Sequence, residues 1–179
     1  MTDEPDRDLL ERFVRGDEDA FESLFRRFER DVHYWILRIV RDSNAAEDIL
    51  AEAFLRAYRG RARFDCSRSF GAWMRRIATN AALDHVNRAR RERAMLSPTD
   101  LPAPASAVDR DTVVRKSIRE AFQRLPPKLQ VVATLALIEE RPHAEIADAL
   151  GIPIGTVKSR LFRATRALRN HLVRLGVQL

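Results

Sequence analysis

Residues 144–163, with the sequence AEIADALGIPIGTVKSRLFR, constrain the chain more than any other stretch. Ile146, Ala147 and Leu150 lay an apolar stripe along a short helix. Gly151 stands where that helix must stop, because a residue at positive φ is cheapest as glycine. Ile152 and Pro153 fill a turn, and a second helix starts near Ile154. On it Val157, Leu161, Ala164 and Leu168 recur at helical spacing and face inward. The other face carries Thr156, Ser159, Arg160 and Arg163, short polar groups followed by guanidinium forks. That order suits a helix whose N-terminal end enters the major groove and reads base edges. A plain helical hairpin with a solvated basic face would show the same periodicity. The glycine turn and an outer face without acids favour the helix-turn-helix.

The remaining pattern is helical as well. Six glycines, 45% hydrophobic residues and almost no period-two alternation predict an all-α protein. Leu9, Leu10, Phe13, Phe21, Leu24, Phe25 and Phe28 give an amphipathic stretch that Gly16-Asp17 interrupts, with Asp17 or Asp19 available to cap the second piece. Tyr34, Trp35, Ile36 and Ile39 continue it. Asn44 followed by Glu47 reads as a capping box for a helix over 45–58, and residues 60–68 read as a basic loop. A long helix over 69–93 carries a core stripe of Phe70, Trp73, Ile77 and Ala81 beside a polar row of Arg76, Asn80 and Asp84. Residues 94–110 hold three prolines without helical period, which makes them an extended linker. Helices follow over 112–124, stopped by Pro126-Pro127, and over 128–139. The expected organisation is two small helical domains, 1–93 and 111–179, with the helix-turn-helix in the second.

Charge is distributed in blocks. Residues 1–52 carry a balance of −7, 53–93 of +8, 94–110 of −1 and 111–179 of +6. Two separated basic blocks inside helical patterns argue for two contacts with a polyanion. Of the 32 basic residues 29 are arginine, suited to bidentate contacts with phosphate and guanine. The acidic N-terminal residues are unlike a secretory signal, and no run approaches a membrane span. One cysteine, Cys66, excludes an internal disulfide and fits a reducing cytoplasm. His33, His85, His143 and His171 are scattered, so neither a metal nor another cofactor is expected. No phosphate loop, nucleophile elbow or paired-carboxylate constellation argues for an enzyme. Cys66 in a basic loop could act as a redox sensor, or simply be a small neutral residue there.

Four blocks in order resemble the extracytoplasmic-function (ECF) group of bacterial sigma factors, in the sigma-70 family, over nearly the whole chain. They are AEDILAEAFLRAY at 46–58, SFGAWMRRIATN at 69–80 with Asp84-His85, Leu125-Pro126, and the run from Glu145 to Arg160. The resemblance implies that residues 1–93 (region 2) bind core RNA polymerase and the −10 promoter element. It implies that residues 111–179 (region 4) bind the −35 element and the polymerase flap, and that an anti-sigma factor is a further partner. Asp48, Glu52 and Arg56 match the polymerase-binding helix; at i, i+4 and i+8 they form one stripe opposite Ile49, Ala53 and Leu55, although surface ion pairing would give the same spacing. The family has glutamine where this chain has Ala51. Asp65, Ser67 and Arg68, with Arg63 on the basic rim, match the segment that cups an unpaired −10 base. Arg76, Thr79 and Asn80 match the face at the upstream edge of that element, though a solvated position also accounts for Asn80. Where housekeeping relatives carry DNA-wedging aromatics this chain has Arg76 and Ile77, which implies a narrow promoter set. Thr156, Lys158, Ser159, Arg160 and Arg163 are the implied −35 contacts. Arg141-Pro142-His143 replaces the family's usual stretch before the helix-turn-helix. The alternative is an autonomous helix-turn-helix regulator with an N-terminal sensor or dimerisation domain, which has no need of the first basic block.

Overall fold

A computed structural model describes residues 4–95 and 110–174; most of the predicted linker lies outside them. Every described element is helical. The order is α1 (Arg7–Arg15), α2 (Glu18–Val40), α3 (Ser43–Gly60) with a 3-10 turn at Arg61–Arg63, α4 (Phe70–Met95), α5 (Arg110–Arg124), α6 (Pro127–Ala133), a π-helical turn at Thr134–Ile138, α7 (His143–Leu150) and α8 (Ile154–Arg174). They divide into two compact units. One is built on the chain up to Val86 together with Ala147–Ile152, the other on Asn87–Ile146 and the chain from Pro153 onward.

In the first unit each helix end has a local cause. Asp6 accepts from the Leu9 N–H at 2.8 Å and starts α1. Gly16, at φ +92°, ends it. Asp17 then caps α2 through the Ala20 N–H at 2.9 Å, its other oxygen held by Arg12 at 2.8 Å. These bonds, that of Arg12 first, hold the Asp17 carboxyl below the usual range. The cap of α3 is Asp42, bonded to the Ala45 N–H at 3.1 Å, so the predicted Asn44/Glu47 box is not used. The helix begins at Ser43, which puts Asn44 already inside the first turn, where its side chain cannot serve as an N-cap.

The core behind these helices is aromatic. Phe13, Phe28, Phe64 and Trp73 all have ring centroids within 5.1–5.7 Å of Phe70. Along α4 the buried stripe is Phe70, Met74, Ala78, Ala81 and Ala82. Trp73 and Ile77 lie at its edge, half-buried, which turns the helix from the predicted stripe.

In the second unit α5, α6 and α8 share a core of Ala121, Phe122, Leu125, Ala133, Ala164 and Leu168. Pro127 occupies the first turn of α6, where its missing N–H costs nothing. The predicted helix over 128–139 changes pitch after Ala133: Glu139 N–H bonds to Thr134 C=O at 3.1 Å, five residues back. In the stretch Ala147–Ile152, which belongs to the first unit, Gly151 sits at φ +61°. Its turn is closed by Ile152 N–H to Ala147 C=O at 3.0 Å, and α8 begins with Thr156 N–H on Pro153 C=O at 2.8 Å.

Candidate nucleic-acid interface

Helix α3 buries Ala46, Ile49, Ala53, Phe54 and Ala57, and so turns Asp48 outward with Glu52 half-exposed beside it. Arg56 is turned aside. Its guanidinium bonds Glu52 at 2.7 Å and, across to α4, Asp84 at 2.7 Å. These two hydrogen bonds, that of Glu52 first, raise its pKa. Leu55, expected on the buried side, is instead 41% exposed. It lies seven residues after Asp48 and three after Glu52, on the same outer strip.

The segment after the 3-10 turn is pinned at its start by Phe64, which is buried and packs on Trp73 at 4.8 Å between ring centroids. Asp65 then folds the chain back on itself. One oxygen accepts from the Ser67 N–H at 2.9 Å and from the Ser67 hydroxyl at 2.7 Å, an Asx turn. The other lies 3.4 Å from Arg68. The Ser67 bonds chiefly, with Arg68, keep the Asp65 carboxyl below its ordinary pKa, so it is ionised at neutral pH. Asp65 and Ser67 therefore spend much of their bonding on the shape of the loop. Arg63 and Arg68 are the exposed cations of this segment, and the Cys66 thiol is free and half-buried.

On α4, Arg76 and Asn80 are exposed one turn apart. Thr79 does not share their face. It is 0% exposed; its hydroxyl accepts from the Trp35 indole N–H at 2.9 Å and donates to the Arg75 carbonyl at 2.7 Å. Thr79 is thus a core residue joining α2 to α4, and its expected DNA contact is withdrawn. Thr79→Val, which keeps the shape and removes the acceptor, should destabilise the protein by about 1–3 kcal/mol by leaving a buried indole N–H unpaired. Thr79→Ser should cost less. Equal unfolding midpoints for wild type and Thr79→Val would show that the bond contributes nothing.

Helix α8 carries Lys158, Arg160, Arg163, Arg166, Arg169 and Arg174 and no acid. Val157, Ala164 and Leu168 are buried, and Ser159, Lys158 and Arg163 are exposed. Thr156 and Arg160 are half-buried at the edges of the outer face. The Ser159 hydroxyl donates to Thr156 C=O at 3.1 Å. Two residues outside the expected set stand on this face. Phe162 is 67% exposed, three residues after Ser159, and Arg166 follows one turn later. The signal was present in the sequence: Phe162 breaks the inward row of Val157, Leu161, Ala164 and Leu168. Among the described residues no three His, Cys, Asp or Glu side chains group as a metal site, and no helix is long and apolar enough to cross a membrane.

The arrangement offers two basic faces with different chemistry. The loop and α4 present arginines and an amide beside a shaped turn, and α8 presents a polar, aromatic and cationic helix face. Each face lies within a stretch that matches a known family. The family model for sigma-70 region 2 matches residues 24–92, and that for sigma-70 region 4 matches residues 115–168. The chain is 35% identical to the RNA polymerase sigma-H factor of Pseudomonas aeruginosa, over 94% of each chain. It is 35% identical to the RNA polymerase sigma factor CarQ of Myxococcus xanthus, over 94% of this chain and 98% of that one. With the ECF RNA polymerase sigma factor SigW of Bacillus subtilis the identity is 31%, over 91% and 94%. Among solved structures, that of CnrH in complex with the cytosolic domain of CnrY shares the fold at a TM-score of 0.58 and 23% identity, over 94% of this chain and 97% of that one.

Proposed function

The chain belongs to the ECF group of the sigma-70 family, and on that premise we propose how its surfaces divide the work of a promoter-specificity subunit of bacterial RNA polymerase. It acts in the cytoplasm by directing core polymerase to promoters with −35 and −10 elements, and contributes recognition rather than catalysis. The outer strip of α3, with Asp48 and Glu52 flanking Leu55, docks on the polymerase. Residues 1–93 carry the −10 function: Arg63 and Arg68 hold phosphates around an unpaired base cupped by the Asp65–Ser67 turn, and Arg76 and Asn80 meet the upstream edge. Residues 111–179 carry the −35 function through Thr156, Lys158, Ser159, Arg160, Phe162 and Arg163, with Arg166 on backbone phosphate. An anti-sigma factor is the partner that would hold the protein inactive; a protein of similar fold, the sigma factor RpoE of Bartonella quintana, has been solved in complex with the anti-sigma factor NepR.

The observation that carries this reading is the pair of separate basic faces, one within each matched region. A −35 reader should show it in base preference. Transcription from promoters randomised at the −35 element is expected to lose about 1–3 kcal/mol of discrimination with Arg163→Ala. Phe162→Ala should weaken preference for thymine, whose methyl group an exposed ring can contact. Arg166→Ala should lower all sequences alike, as loss of a phosphate contact does. Preference profiles identical to wild type for Phe162→Ala and Arg163→Ala would remove α8 from base readout.

A further inference from the structure

The loop at 64–69 has two anchors. Phe64, buried against Phe70 and Trp73, holds its start. Its end is held from far away in sequence. The Glu4 carboxylate accepts from the Ser69 hydroxyl through one oxygen and from the Phe70 N–H, at 3.0 Å, through the other. Ser69 in turn accepts from the Ala72 N–H at 3.1 Å. The segment that carries Glu4 is itself fixed. Pro5 is buried, and Arg27 donates to the Glu4 carbonyl at 3.2 Å. An anion here also complements the partial positive charge of the α4 N-terminus. Most helices close their first turn with a residue of their own. This one is closed by Ser69 together with a carboxylate 65 residues upstream.

We infer that Glu4 is a positioning residue for promoter reading: by fixing Ser69 and the first turn of α4 it holds the Asp65–Arg68 turn in the place where it receives the −10 base. The inference rests on the assignment of that turn under "Proposed function". Glu4 itself contributes no contact to DNA, and as an anion it would repel phosphate; its effect passes through Ser69. Between Phe64 and Ser69 the turn is held internally by Asp65 and Ser67, so releasing the Ser69 end leaves the turn intact and frees its placement.

The single cysteine makes the loop observable by itself, since any thiol reagent reports Cys66 alone. In the full-length protein Glu4→Ala should raise the rate of Cys66 labelling by a chromogenic disulfide reagent by roughly tenfold, the loss expected for a charge-assisted hydrogen bond. With core polymerase on promoters randomised at −10, discrimination should fall by about the same factor. Preference at −35 and assembly with polymerase should not change. Glu4→Gln, which keeps one acceptor but neither the charge nor the second oxygen, should recover part of both. Ser69→Ala should move both readouts in the same direction as Glu4→Ala, with the double variant short of the sum of the two, because the Ser69–Glu4 bond is counted in both. Unchanged Cys66 labelling in Glu4→Ala overturns the tether. So does a loss at −10 and −35 together that follows the fraction unfolded. Faster labelling with an unaltered −10 profile leaves the tether standing but overturns its role in reading; the assignment of the loop itself falls only if Asp65→Ala, which removes the turn's own bonds, also leaves the −10 profile unaltered.

Discussion

Replacing Phe70 with alanine is expected to destabilise the protein by about 3–5 kcal/mol, the range for deleting a fully buried aromatic. Phe70 is 1% exposed and meets four other rings, two edge-on and two tilted. Each such pair adds about 0.5–1.5 kcal/mol beyond the area buried. No neighbour can close the gap cheaply, because Phe13, Phe28, Phe64 and Trp73 come from four different places in the chain. Since a domain of this kind holds only about 5–15 kcal/mol in all, the variant should lose a large part of its margin. The candidate site should suffer beyond that loss, because Phe70 opens α4 and backs Phe64, the first anchor of the 64–69 loop. Denaturant unfolding of the full chain measures the first effect. A shift below about 1 kcal/mol, the level of an ordinary surface change, would mean the aromatic cluster is not the keystone of this unit.

Reversing two charges on α3 should be almost as severe for function while leaving the fold intact. Asp48→Lys with Glu52→Lys is expected to weaken association with core polymerase by roughly 2–5 kcal/mol, through lost attraction and added repulsion. Stability should change little. The Glu52–Arg56 pair is half-exposed, and such pairs contribute about 0–1 kcal/mol. Arg56 keeps Asp84 at 2.7 Å. Pull-down with core polymerase, beside a circular dichroism melt, separates the two. Undiminished capture by a folded double variant would move the docking surface off α3.

The fold was legible where a residue type dictates its own backbone. Gly16 and Gly151 both take positive φ and end their helices, and Asp17 caps α2 as one of two candidates. What sequence could not decide was rotation. On α4 the predicted stripe ran through Trp73 and Ile77, whereas the buried one runs from Phe70 through Met74 to Ala78, Ala81 and Ala82 and leaves Trp73 and Ile77 at its edge. That turn hides Thr79, whose hydroxyl is tolerated in the core only because Trp35 and the Arg75 carbonyl satisfy it. Leu55 shows the same limit on α3, since a leucine in a 3.6-residue pattern reads as core until its neighbours are known. The π turn after Ala133 depends on a five-residue bond that periodicity does not register. At the candidate site the exposed cations were readable, and the Asp65 turn and its Glu4 anchor were not, because hydrogen bonds to loops leave no period.

The measurement closest to the central claim is initiation by the purified chain with core polymerase on a pool of promoters randomised in two blocks, beside a gel shift on duplex DNA with the chain alone. The chain is expected to direct transcription from templates enriched at both the −35 and −10 positions, and to bind the same duplexes poorly without polymerase. Tight, sequence-specific binding by the chain alone, with no initiation above that of core polymerase, would contradict it.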